Sequence, residues 1–248
     1  MNDFLEIHWG YSIWEKAANS IFNEVDEEFL TKVDDVIRTA QTNGNVLATC
    51  FSQNGDTLSQ WRAYAGDGYG YSIGFDAKDV VQLQVRPLRI LYNEKRQIKE
   101  FAAILRAIYE VENQEGNLDK YGANFLEACV ALAFDFAAIK NPAFSEEKEI
   151  RIIHVLNFIK SNQFLKLVDV GGTAFGSPIL GQEVNFRMAG SLPVPYIDID
   201  FTNIGKVNPI KKVILGPKND SNLSAVSVFL ETLNIGNVEL EKSSASYR

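Results

Sequence analysis

Apolar residues recur at helical spacing early in the chain, where Phe22, Val25, Phe29, Val33, Val36, Ile37 and Ala40 fall along one stripe. The pattern predicts a helical opening from about 12 to 42, ended by Asn43-Gly44-Asn45. Residues 46–52 form a short apolar run suited to a buried strand. Asp56 then stands where a helix N-cap belongs, and Leu58, Trp61 and Ala65 follow at i, i+3 and i+7, predicting a short helix closed by Gly66-Asp67-Gly68. Residues 69–76 read as the next strand, and the alternation at 81–85 and 88–92 as another. Ile98, Phe101, Ile104, Leu105 and Ile108 mark one further helix. Leu118, Tyr121, Phe125, Cys129, Leu132, Phe136 and Ile139 mark a longer one. From Ile150 the period falls to two, predicting strands at 150–156, 164–170, 183–189, 195–201 and 211–216. A helix over Leu223–Leu233 and a last strand at 238–242 complete the pattern. The expected architecture is one α+β domain over 1–248, with a mainly antiparallel sheet drawn from both halves of the chain, flanking helices, and a helical insertion at about 97–139.

Composition narrows the function classes. The 248 residues are 46% apolar, ample for a sizeable core. With 24 basic against 32 acidic residues the formal charge is -8, and no basic patch offsets it, so nucleic acid is an unfavourable partner. No apolar run is long enough to span a membrane and no signal sequence opens the chain, which predicts a cytoplasmic protein with no membrane partner. Cys50 and Cys129 sit in apolar contexts and read as buried free thiols. His8 and His154 lack the short-range partners that zinc spacing requires. The glycines at 66, 68 and 70 precede a strand instead of a helix and match no dinucleotide loop.

Candidate chemistry concentrates in residues 142–155. If that stretch runs as a strand, Glu147, Glu149 and Arg151 share one face with Ile153 and Val155. Two carboxylates and a guanidinium then lead into a buried strand, where isolated charges are costly unless paired or used. They read either as a strand-end ion pair or as the mouth of a substrate site beside Arg151, where the crowded carboxylates of Glu147 and Glu149 would have raised pKa values and could hydrogen-bond a sugar hydroxyl or stabilise positive charge. Trp61 and Tyr64, three apart on the short helix, are either core or a stacking wall for a flat ring. Arg187 and Arg248 are lone arginines suited to phosphate or carboxylate, though a sheet-edge ion pair is the simpler use of each.

Taken together, Asn2–Glu6, residues 50–64 with 70–76, 142–153, 185–190 with 194–197, 210–217 and the closing 243–248 resemble a bacterial family catalogued as domain of unknown function 2971. That resemblance implies a further strand and helix ahead of Asn2, beginning with a His-Tyr or Lys-Tyr pair; the sequence begins at Met1, directly before that element. The order of the pieces also resembles the ADP-ribosyltransferase superfamily. This second likeness implies a split sheet in which Ser52, Trp61 and Tyr64 hold nicotinamide and Glu147-Lys148-Glu149 serves as the E-x-E element. It assigns Glu149 to the ribosyl cation, Glu147 to the acceptor or water, and Arg187 or Arg248 to phosphate.

The leading expectation is a nucleotide-binding enzyme that consumes NAD, by ADP-ribosyl transfer or glycohydrolysis, as a toxin or phage-defence effector. NAD would be substrate, and no cofactor or metal is expected. One alternative is a metal-dependent nuclease or phosphoesterase using Asp3, Glu6, Glu147 and Glu149. Another is a non-enzymatic interaction protein of a defence or toxin-antitoxin system, binding a protein partner through the 97–139 helices.

Overall fold

The computed structural model describes residues 4–81, 87–114, 117–174, 177–200 and 208–247. The opening helix is two helices, α1 (Phe4–Ser20) and α2 (Glu27–Asn43), separated by a turn at 21–26. Phe22, placed in the apolar stripe by sequence, lies in that turn and is half exposed. In α2, Phe29, Val33 and Ile37 repeat every four residues and are buried. They meet α5 (Glu94–Glu112) and α6 (Ala123–Asp135), whose Phe101, Leu105, Phe125, Cys129 and Leu132 complete the largest core cluster with Ile13, Trp14 and Ala17 of α1. Phe29 is the hub, edge-on to Tyr109 at 5.0 Å and to Phe125 at 6.1 Å. The helices of the expected 97–139 insertion therefore share one core with α1 and α2. The second of them starts later than its apolar pattern suggests, because Tyr121 has φ 61 and Leu118 is fully exposed.

Against this helical half lies a sheet ordered β1 (Gly44–Ser52), β4 (Glu149–Lys160) and β3 (Pro87–Arg89), with β5 (Leu165–Val168) pairing the far end of β4. Every pairing in it is antiparallel. A second sheet, β11 (Glu239–Lys242), β10 (Ile210–Leu215) and β2 (Tyr71–Phe75), is antiparallel at β2 and parallel at β11. Its own core of Val213, Leu215 and Leu230 lies under α7 (Leu223–Thr232). The short α3 (Leu58–Tyr64) bridges the sheets, and α4 (Ala77–Val80) follows β2. Two hairpins complete the described chain: β6 (Gly172–Ala174) with β7 (Ser177–Ile179), and β8 (Asn185–Ala189) with β9 (Leu192–Tyr196). The chain is thus α+β with mainly antiparallel sheets, as the pattern predicts.

Some expectations shift. Of the strand expected at 195–201, only residues 195 and 196 are strand, as the end of β9; 197–200 are irregular and 201 lies outside the described residues. Most of the alternating 81–85 stretch also lies outside them. No helix among the described residues is long and apolar enough to cross a membrane.

Candidate functional site

Site geometry begins in the helical core. Gln97, fully buried on α5, accepts a hydrogen bond from Trp9 Nε1 at 3.1 Å and donates to the carbonyls of Leu91 (2.6 Å) and Lys140 (2.8 Å). A buried amide satisfied in this way fixes the backbone it touches. Lys140 is therefore held where the chain leaves the helices. After Asn141, the six residues Pro142–Glu147 form a 3-10 turn, and Lys148 closes it in the left-handed region (φ 45, ψ 47) before β4 begins at Glu149. The sequence reading put Glu147 on the strand with Glu149. Instead Glu147 ends the 3-10 turn, and the left-handed residue between them folds both carboxylates onto the Lys140 ammonium.

Four charges close into a box. Lys140 Nζ lies 2.6 Å from Glu147 Oε2 and 3.2 Å from Glu149 Oε2. Arg151 donates from Nε to Glu149 Oε1 (2.7 Å) and from Nη2 to Oε2 (3.0 Å), while Nη1 reaches the Ala137 carbonyl at 3.0 Å. Side-chain exposure is 8% for Lys140, 12% for Glu147, 6% for Glu149 and 3% for Arg151, so these charges are removed from water and have to satisfy one another. Burial alone would raise the Glu149 carboxyl. The Arg151 fork, the Cys50 thiol and Lys140 outweigh it and hold Glu149 below the ordinary glutamate value.

The box floors a cleft of about 1510 Å³. Ser52, Tyr64, Phe144 and Cys50 line it together with the box, and Arg187 and residues 192–199 line it from the β8–β9 hairpin and the stretch that follows. Ser52 Oγ donates to the Glu147 carbonyl at 2.7 Å, and the Tyr64 hydroxyl is 3.4 Å from Glu147 Oε1. Arg187 sits exposed on β8 and has no ion-pair partner among the described residues. His154, further along β4, also lines the cleft; its Nε2 is 2.9 Å from Asp169 Oδ1 without the alignment of a hydrogen bond.

Six of the sequence candidates thus meet in one cleft: Ser52, Tyr64, Glu147, Glu149, Arg151 and Arg187. Trp61 does not join them. It is 2% exposed, and its Nε1 donates to Asp56 at 2.7 Å, so it is core, while Tyr64 three residues on is exposed. Asp56 is no N-cap either. Thr57 takes that position, and Asp56 instead accepts from Ser243 Oγ and from Ser244 N and Oγ, tying the last residues to α3. Arg248 and Asp3 lie outside the described residues, as does the side chain of Glu6.

Two members of the site were missed. Lys140 ends an apolar helical stretch and gives no pattern signal. Cys50, expected to be buried, is exposed on β1 and faces the cleft. Desolvation within the cleft and the Glu149 carboxylate push its thiol up to about 12, so it is a hydrogen-bond donor to Glu149 and not a thiolate nucleophile. Lys140 also occupies the position between the carboxylates where a shared divalent ion would sit. Among the described residues no group of three or more His, Cys, Asp or Glu side chains is placed to hold a metal.

An α+β fold carrying a charge-balanced cleft between a strand mouth and a hairpin defines the class. Residues 60–152 match the family described as Protein of unknown function (DUF2971), in keeping with the resemblance carried by the sequence motifs. The matched stretch holds Tyr64, Lys140, Glu147, Glu149 and Arg151. No curated protein and no solved structure matches the chain significantly.

Proposed function

We propose that the cleft binds a nucleotide-like small molecule and that the chain cleaves its N-glycosidic bond, with NAD as the first candidate substrate. The observation that carries this reading is Glu147: its Oε2 is held by Lys140 while Oε1 faces the cleft beside the Tyr64 hydroxyl. A fixed carboxylate beside an aromatic side chain is what departure of a planar base from ribose requires. As the C1′–N bond breaks, its electron pair leaves with nicotinamide, and the ribosyl cation forms against Glu147 until water or an acceptor hydroxyl adds to C1′ and gives up its proton to the Glu147 carboxylate. Both Glu149 oxygens are engaged by Arg151, so in this reading Glu149 positions the box and Glu147 faces the cation. Arg187, with no ion-pair partner among the described residues, serves the phosphates.

The test is release of free nicotinamide from NAD by the purified protein. Release that Glu147→Gln abolishes, in a variant with unchanged circular dichroism, supports the reading. No release with or without candidate acceptors, or equal release from Glu147→Gln, overturns it.

A further inference from the structure

The cleft wraps around one side of β1, and that side is an unpaired sheet edge among the described residues. Among the described residues β1 pairs with β4 alone, in continuous register from Gly44 opposite Asn157 to Ser52 opposite Glu149. The Glu149 N–H is given to the Tyr92 hydroxyl and its carbonyl accepts from Ile90 N, so the Glu149 backbone faces away from β1. Gln53 N donates to the Lys148 carbonyl, so the next pair along is the bonded one. The alternation of an antiparallel ladder then turns the N–H and C=O of Ser52, Cys50, Ala48 and Val46 outward. None of them has a backbone partner on that side among the described residues.

Exposed edges are ordinarily blunted by charge, proline or a bulge. Here β11 carries Glu239, Glu241 and Lys242, β3 begins with Pro87, and β9 has Pro193 and Pro195. The nine residues of β1, Gly-Asn-Val-Leu-Ala-Thr-Cys-Phe-Ser, contain no charge and no proline, and their register has no bulge. The two sides of the strand also differ. Cys50 and Ser52 share a side with the charged box, while Phe51 and Ile152 lie on the other, packed with Ile199.

We infer that β1 binds an extended segment of another polypeptide as an added antiparallel or parallel strand. A row of N–H and C=O groups at strand spacing is complemented by another strand's backbone. The partner's side chains would alternate, apolar ones against Leu47, Phe51 and Ile199 and small polar ones against Cys50 and Ser52. A second copy of the chain is a poorer occupant, because its own β1 lines a cleft shared with residues 192–199 and is less accessible than a free peptide. The inference does not depend on glycosidic chemistry, and its test reads binding alone.

The probe is a displayed library of random nine-residue peptides, panned on the full chain with Ala48→Pro as counter-selection. Proline at 48 removes an outward N–H and no bond to β4, so the ladder survives. Expected are alternating peptides that bind the native chain saturably and lose about tenfold in affinity on Ala48→Pro. The synthetic peptide should lose a similar factor when N-methylated at the amides of one alternate set and little when N-methylated at the other. This last arm answers the question even if Ala48→Pro fails to fold. No enrichment, enrichment equal on both proteins, or insensitivity to both methylation registers overturns the inference.

Discussion

Replacing Arg151 by Met tests whether the charge box supports the fold. Arg151 is 2% exposed, and the substitution keeps its approximate length while deleting two charge-assisted hydrogen bonds to Glu149 and one to the Ala137 carbonyl. Glu149 would keep Lys140, at 3.2 Å, and the Cys50 thiol. Breaking a buried pair by removing one partner costs about 3–5 kcal/mol, because the remaining charge stays desolvated. For a chain of this size that corresponds to a fall in Tm of about 6–20 °C. Urea unfolding of the native chain, Arg151→Met, Glu149→Leu and the double variant gives the coupling directly. The double variant should be less destabilised than the sum of the singles by about 2 kcal/mol or more. A loss below about 1 kcal/mol for Arg151→Met, or simple additivity, would show that the box is incidental to stability.

Trp61→Phe removes the Nε1 bond to Asp56 and should cost about 1–3 kcal/mol in urea unfolding. It should also speed carboxypeptidase trimming of the last residues, and an unchanged trimming rate would mean that Asp56 does not hold them. Hydrogen bonds from Ser243, Trp61 and Ser244 outweigh desolvation and hold the Asp56 carboxyl near 2, below its ordinary 3.8. A depressed carboxyl contributes fully above the unfolded value and loses that contribution as pH falls towards the folded one. Stability should therefore fall between about pH 4 and 2, less steeply in Asp56→Asn. Lys148→Gly should be neutral or stabilising by up to about 1 kcal/mol in thermal unfolding, since it relieves a left-handed non-glycine residue. Cys50 should react slowly with a disulfide reagent at pH 8 despite its exposure, and faster in Glu149→Gln; reaction at the rate of a free thiol would contradict a pKa near 12.

Periodicity was a good guide wherever one face met a core. The stripe Phe29, Val33, Ile37 and the strands β4 and β10 fall where their apolar patterns put them. It misled where a backbone conformation intervened. The left-handed Tyr121 delays α6, and the left-handed Lys148 detaches Glu147 from the strand pattern; neither residue is a glycine that would have marked the turn. The superfamily likeness sets Ser52 and Tyr64 beside the 147–149 stretch, and β1 and β4 are neighbours, with Ser52 opposite Glu149. Lys140 was invisible because its role depends on Gln97, forty-three residues earlier, fixing its carbonyl. Trp61 stood open between core and stacking wall because spacing alone does not say which of two aromatic residues on a short helix turns inward; it is core.

The balance of the box has an electrolyte consequence. One ammonium, one guanidinium and two carboxylates cancel, and all four are largely shielded from mobile ions, so their mutual attraction is little screened. Arg187, exposed on its hairpin, has no such shelter. Raising ionic strength should therefore weaken capture of a phosphate-bearing ligand while the melting temperature set by the box holds steady, separating recognition from stability with salt alone.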